Sequence, residues 1–300
     1  MNHPFFSVPN GDVYPPFKNG RYLEEYFCQR FEELKAKTPS ASESSAFKTK
    51  RTFIPLKWTN FQIHPYFNHY KSQMQSELDN WVTQNQNPNG YFTVVQHDDG
   101  PVLRLPIDTI VFGACTGDIP IPLIYEDVEN KLPLLGETSK KSFSDSDILC
   151  SFVGCNTGGA RPLIFEHLKN NQKFDITVNN GWTASVDKPK QDAFIEKTLR
   201  SKFVLGPRGY GRGSFRFFEI FHLGAVPVYV WDDIEWLPYK DVIDYSKFCI
   251  SIHVSEIDTL EDRLSKITEG EYTQLLSEYK KVEHHFTLEG MTQYILSKTC

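Results

Sequence analysis

No run of 18 consecutive apolar residues occurs in the chain, and its opening MNHPFFSVPNG has neither the basic stretch nor the apolar core of a secretory leader. The expectation is a soluble, cytoplasmic protein without a transmembrane segment. Positive charge is not in excess: 32 Lys and Arg stand against 38 Asp and Glu, a net charge of -6. That balance argues against nucleic acid or an anionic membrane as the main partner, while leaving room for a local basic pocket that holds a small anion. Cys28, Cys115, Cys150, Cys155, Cys249 and Cys300 are scattered without a CxxC or any metal-ligand spacing, so free thiols in a reducing compartment are expected. Nothing repeats at a fixed period. What is present, 40% hydrophobic and 14% aromatic residues in a chain of 300, suffices for a large core and one or two domains.

The most informative stretch runs from Phe203 to Trp231, FVLGPRGYGRGSFRFFEIFHLGAVPVYVW. Lys202 to Leu205 is a short apolar run closed by Gly206-Pro207, which predicts a buried strand ending there. The following loop carries Gly209, Gly211 and Gly213 with Arg208 and Arg212, so backbone amides can turn inward while guanidinium groups supply charge. Ser214 has the type and position of a helix N-cap, Phe215, Phe218 and Leu223 fall at spacings that face a sheet, and Gly224 suits the C-cap. Ala225 to Trp231, with Val226, Val228 and Val230, predicts a strand buried on both faces of a parallel sheet. The whole is a βαβ unit, and a helix start at the end of a parallel strand attracts anions. A phosphate site is the reading. The plain alternatives are a tight turn with solvated arginines and a short nucleic-acid-binding Arg-Gly segment, the latter disfavoured by its single occurrence in an acidic chain.

The rest of the chain supplies two αβ units. An aromatic opening with Pro15-Pro16 leads to a helical run, RYLEEYFCQRFEELKAK, then the polar loop Pro39 to Lys50, a strand over Thr52 to Trp58 and a helix over His64 to Gln84. Tyr91 to Val95 is a strand that delivers Gln96-His97-Asp98-Asp99-Gly100 into a loop, and such strand ends are where open α/β sheets place their chemistry. Thr109 to Cys115 is a further strand. The charged stretch Asp127 to Asp147 is the best boundary. Ile148 to Val153 is then a strand running into Gly154-Cys155-Asn156-Thr157-Gly158-Gly159, with a helix starting near Arg161-Pro162, a second candidate phosphate cradle. Phe174 to Val178 and Phe248 to His253 are strands, and Lys190 to Arg200 and the last thirty residues are helical.

Pro207-Arg208-Gly209, Gly213-Ser214-Phe215-Arg216-Phe217, Glu219, the AVPV run and LPYKDVIDY from Leu237 to Tyr245 together closely resemble the signature of the exostosin-like family of inverting glycosyltransferases. The resemblance implies a GT-B architecture, two Rossmann-like domains facing a cleft, with a UDP-sugar donor in the C-terminal one. On that basis residues 1–145 form an acceptor-binding domain, 146–285 a nucleotide-sugar domain and 286–300 a helix crossing back. Eukaryotic members of the family are usually anchored in the Golgi by an N-terminal membrane helix, from which the expected soluble form departs.

The family chemistry implies transfer of a xylose, galactose, glucuronate or N-acetylglucosamine class sugar from UDP to a glycan hydroxyl. Arg208, Gly209, Gly213, Ser214, Arg216, Arg161 and Asn156 are the candidates for holding the donor diphosphate, and Glu219 takes the ribose hydroxyls by resemblance. His97, Asp98 and Asp99 are candidate bases, Asp98 first, because an ionisable group on a cleft loop can take the acceptor proton. The alternative for QHDDG is a turn with good turn chemistry. No D-x-D stands at the glycine-rich loop, so no metal and no cofactor are expected. Asp232-Asp233 is not expected to form a metal site, since adjacent side chains on an extended segment point apart. The rival functions are a noncatalytic nucleotide-sugar or glycan binder and a phosphorylase on the same fold. Nothing in the sequence speaks to oligomeric state.

Overall fold

Two parallel sheets emerge from the alternation of apolar runs and helices. The computed structural model describes residues 20–36, 49–179, 181, 183 and 186–300; the aromatic opening with Pro15-Pro16 and most of the polar loop Pro39 to Lys50 lie outside them. The first sheet contains β1 (Thr52–Phe53), β2 (Tyr91–Val95), β3 (Thr109–Gly113) and β4 (Ile119–Pro120), in that order and all parallel. Helices α1 (Leu23–Ala36), α2 (Trp58–Gln62) and α3 (Phe67–Gln84) accompany it. The expected strand to Trp58 is cut short after Phe53. Ile54 still donates to the Phe92 carbonyl at 2.8 Å, but Pro55 has no N–H to continue the ladder. Trp58 instead opens α2 and donates its indole N–H to Thr93 Oγ1 in the core at 2.8 Å.

The charged linker is not merely a loop, because it holds α4 (Lys131–Ser139). The second half follows as β5 (Ile148–Cys155), α5 (Arg161–Leu168), β6 (Phe174–Asn179), α6 (Lys188–Arg200), β7 (Ser201–Leu205), α7 (Phe215–His222), β8 (Val226–Trp231), β9 (Ile250–His253), α8 (Leu260–Ser265), α9 (Glu269–Val282) and α10 (Leu288–Thr299). Strand β5 runs two residues past the expected end, so Gly154 and Cys155 pair with β6 instead of joining the loop. The sheet order is β6-β5-β7-β8-β9, all parallel. In this doubly wound order the crossovers diverge between β5 and β7, and the crevice at the carboxyl ends of those two strands is where such sheets bind ligands. Pro227 is tolerated in a central strand because β8 pairs with β9 only from Val228 onward.

The core is continuous across the two halves. Phe27, Phe53, Phe92 and Phe112 of the first half join Phe217, Phe221, Tyr279, Phe286 and Ile295 in one buried cluster. Helix α10 lies against α1: Tyr26 Oη–H donates to Glu289 at 3.1 Å and Arg30 Nε to the same carboxylate at 3.0 Å. No helix among the described residues is long and apolar enough to cross a membrane.

The halves also meet edge to edge. A Cβ at Gly211 would overlap the Asp98 carboxylate, and one at Gly213 would overlap the Ala114 carbonyl oxygen, so the loop after β7 lies directly on the strand ends of the first sheet. Trp236 Nε1–H reaches across to the Gly113 carbonyl at 3.3 Å. Since the atom facing Gly213 belongs to rigid backbone, Gly213→Ala is expected to lower stability by about 1–3 kcal/mol, the usual cost of overpacking. Urea unfolding of the purified variant checks this.

Candidate functional site

The two glycine-bearing loops at the β5–β7 crevice pack on each other. Gly158 and Gly159 have φ of 95° and 60°, a conformation that favours glycine, and a Cβ at Gly159 would strike the Gly209 carbonyl. Arg161, at the start of α5, stitches the loops together. Its Nη1 donates to the Cys155 carbonyl at 2.9 Å, its Nε to the Arg208 carbonyl at 3.2 Å and its Nη2 to the Pro207 carbonyl at 3.4 Å. Its guanidinium also lies 5.5 Å over the Phe152 ring.

A cavity of about 80 Å³ opens at this junction, and Arg161, Ser214, Arg216 and Glu219 are among its walls. Arg216 lies 3.5 Å over the Phe194 ring and donates to Glu219 Oε2 at 3.0 Å. Glu219 is 3% exposed and receives a second bond, from Tyr125 Oη–H to Oε1 at 3.0 Å. Burial pushes the Glu219 carboxyl above its ordinary value, against the Arg216 charge and the Tyr125 hydrogen bond. Ser214 occupies the N-cap position but its side chain caps nothing; the first turn is closed by the bond from Phe217 N–H to the Ser214 carbonyl at 3.2 Å. Phe215, expected to face the sheet, is half-buried at the cavity wall, and Phe217, Ile220 and Phe221 fill the core instead.

Not all the expected donor residues gather there. Arg208, Gly209, Gly213 and Asn156 do not line this cavity. Asn156 is exposed just beyond β5. Gly209 and Gly213 form close contacts of the loop, Gly213 with Ala114 and Gly209 within 2.7 Å, from its would-be Cβ, of Thr157 Oγ1. Arg208 bonds Asp232 Oδ1 at 3.0 Å, Asp233 Oδ1 at 2.7 Å and the Tyr210 carbonyl at 2.6 Å. Asp232 and Asp233 thus converge on one guanidinium rather than pointing apart, because β8 ends at Trp231 and the chain bends there. Arg212 completes this network at Asp233 Oδ2, 2.8 Å away.

His97, Asp98 and Asp99 form a turn closed by the Gly100 N–H to the His97 carbonyl at 3.0 Å, and they touch the glycine loop from the opposite half. Asp98 lies beneath Gly211 and Cys115, and Asp99 Oδ1 accepts from Tyr210 Oη–H at 2.7 Å. His97 Nδ1 accepts the Asp99 N–H at 3.2 Å, so the neutral ring carries its proton on Nε2. Burial lowers the His97 pKa, with Asp98 and Asp99 opposing. None of the three lines the cavity.

Sequence reasoning missed the residues that place these groups. Tyr125 sits in the linker and Lys190 and Gln191 on α6, all far in sequence from the loops they face. Glu24 of α1 was equally silent: it accepts the Gln96 N–H at 2.6 Å and the Thr59 N–H and Oγ1–H at 3.0 Å each, holding the root of the QHDDG turn. Its only sequence signal is an acidic residue inside an amphipathic helix.

A doubly wound crevice lined by two arginines, a helix start and a buried carboxylate thus sits on a two-sheet α/β frame. Residues 109–267 match the Exostosin GT47 domain. The chain belongs to the exostosin GT47 family. It is 31% identical over 171 residues to a probable glycosyltransferase of Arabidopsis thaliana, covering 56% of this chain and 33% of the relative. A probable glucuronosyltransferase of Oryza sativa subsp. japonica is 32% identical over 109 residues, 36% of this chain and 24% of the relative. A probable arabinosyltransferase of Arabidopsis thaliana is 31% identical over 153 residues, 49% and 33% respectively. The chain therefore spans no more than about a third of the length of these curated relatives. Among solved structures it is similar to AviGT4, a glycosyltransferase involved in avilamycin A biosynthesis, at 12% identity and a TM-score of 0.28 over 74% of this chain and 79% of that one, a likeness too low to bear on the site.

The Glu24 carboxyl carries a pH dependence. Burial raises its pKa from 4.5 to about 7, so the folded state binds that proton more tightly than the unfolded chain does. The associated stability is fully present below the unfolded value and is lost as pH rises through about 7, a difference of roughly 3 kcal/mol. Urea unfolding of the wild type and Glu24→Gln between about pH 5 and pH 8 is expected to show the wild type losing stability relative to the variant as pH rises.

Proposed function

We propose that the chain is a glycosyltransferase that takes a UDP-sugar in the second half and transfers the sugar, with inversion, to a hydroxyl of a glycan acceptor. The observation that carries the reading is the meeting of Arg161, Ser214, Arg216 and Glu219 in one cavity at the β5–β7 crevice. Arg216 and the start of α7 meet the diphosphate, and Glu219 takes the ribose hydroxyls. The uracil ring extends along the Asn179 and Gln191 wall of the narrow cavity. Arg208, held by Asp232 and Asp233, keeps the glycine loop in shape for this contact.

In the reaction the acceptor hydroxyl gives its proton to a carboxylate, its oxygen bonds the anomeric carbon, and the bond from that carbon to the diphosphate breaks, releasing UDP. Negative charge grows on the diphosphate, so a fixed guanidinium and helix-start amides lower the barrier more than they tighten ground-state binding. The proton acceptor is Asp98 of the QHDDG turn, which abuts the same loop that leads into Ser214. The positive charge supplied by arginine makes a metal unnecessary in this scheme.

Arg216→Ala is expected to weaken UDP binding by roughly 1.5–3 kcal/mol, the worth of a hydrogen bond to a charged group, as read by calorimetry; unchanged affinity would remove the donor assignment. Asp98→Asn is expected to slow transfer by about 10² to 10⁴ while UDP affinity stays as it was. The same assay run in EDTA keeps its rate if no metal takes part. A rate that collapses in chelator and returns with manganese would refute the arginine scheme.

A further inference from the structure

Lys190, Gln191 and Phe194 bring one face of α6 to the wall of the donor cavity. Phe194 stands at i+4 from Lys190 and i+3 from Gln191, so the three side chains are neighbours on the helix surface. Each is held in place. Phe194 is buried and carries the Arg216 guanidinium 3.5 Å over its ring, and Asp187 Oδ2 accepts from the Lys190 ammonium at 2.8 Å. Gln191 is tied at two points to the residues that lead into the helix. Its backbone N–H donates to the Asp187 carbonyl at 3.2 Å, and its side-chain Nε2–H donates to the Val186 carbonyl at 2.6 Å. A carbonyl oxygen can only accept, so the end of the amide that meets Val186 is the NH₂ group and the other end is the oxygen. That oxygen, Oε1, has no hydrogen-bond partner among the described residues and is not closed off from water. At Gln191 the wall therefore carries an acceptor whose polarity is set by its own backbone.

We propose that Gln191 sets the nucleobase specificity of the donor site, its Oε1 accepting the N3–H of uracil and so selecting uridine over cytidine nucleotides. The assignment rests on the donor reading above and deepens it. Arg216, which meets the diphosphate, lies over Phe194, and Gln191 stands one turn along α6 from that ring, so the wall runs from the phosphates toward the base. Uracil bears a proton on N3 where cytosine bears a lone pair, and the two rings are nearly the same size, so shape alone does not separate them. A fixed acceptor gains a hydrogen bond from the first and faces a second acceptor in the other. The bond to Val186 is what gives the device its force. A glutamine free to turn would offer its NH₂ group to cytosine and read both bases, whereas turning here breaks the bond to the carbonyl.

The test titrates the full chain by calorimetry with UDP, CDP and N3-methyl-UDP, the last keeping the uracil ring without its proton. CDP and N3-methyl-UDP are each expected to bind at least about tenfold more weakly than UDP, and Gln191→Met, which keeps the length and removes the acceptor, to bring UDP and CDP within about twofold of each other. In the wild-type complex the uracil imino proton, lost to exchange in free UDP, is expected to become visible by proton NMR, which carries the test if the variant fails to fold. Saturable UDP binding no tighter than that of CDP or N3-methyl-UDP, a preference that survives Gln191→Met, or an imino proton that stays invisible would each overturn the Gln191 assignment and leave the donor reading standing. No saturable binding of any of the three would remove the donor reading, and the assignment with it.

Discussion

The close approach of a glycine loop to its neighbours, where a Cβ would collide with backbone or side chain, is the constraint on which the site depends. The loop from Gly206 to Ser214 presses against the Thr157–Gly159 loop on one side and against Asp98, Ala114 and Cys115 on the other. Glycine at 209, 211 and 213 is what lets three segments from two sheets converge there. Had these positions carried side chains, the loop would stand away from its neighbours, and Arg161 would lose the carbonyls of residues 207 and 208 that it holds. The arginines of the loop then divide their duties by geometry. Arg208 and Arg212 turn toward Asp232 and Asp233 and brace the loop, and Arg216, in the first turn of the helix, faces the cavity.

Two buried carboxylates extend this order into the rest of the molecule. Glu219 is gripped by a tyrosine from the linker and an arginine from its own helix, so the wall of the cavity is fixed by a residue that belongs to neither sheet. Glu24 does the corresponding job in the first half, where α1 reaches the loop after β2 through the Gln96 amide. Each carboxylate bears an electrostatic cost of burial and each accepts a hydrogen bond from a group distant in sequence. The result is that both loops at the crevice are held from behind.

Much of this was legible in the sequence because local chemistry and global fold agree along Phe203 to Trp231. Strand, glycine loop, helix and strand all form where the residue types predict them, and the family signature lies on the same stretch. The misreadings come from single residues whose effect is set by their surroundings. Pro55 ended a strand that β-branched and aromatic neighbours had suggested, and a bend after Trp231 turned Asp232 and Asp233 onto one arginine. Arg208 and Arg216 look alike in sequence, and only their positions before and after the helix start separate the brace from the cavity wall. Tyr125 and Gln191 gave no local sign, and Glu24 only that of an acidic residue inside an amphipathic helix, since their roles exist only once remote segments meet.

The path of the chain between the halves has a mechanical meaning. It passes once through the linker and returns once, when α10 comes back onto α1 with Glu289 bonded to Arg30 and the Thr299 carbonyl accepting the Lys50 N–H at 2.8 Å. Residues 141–145 of the linker are largely exposed, so this is where a protease would find the backbone. A single cut there breaks the covalent thread but not the molecule. The fragment downstream still carries α10, whose Met291 and Ile295 are sealed in the same apolar cluster as Phe27 and Phe92. The two pieces are therefore clasped like a folded strap tucked under its own buckle, and parting them requires melting a core rather than opening a hinge.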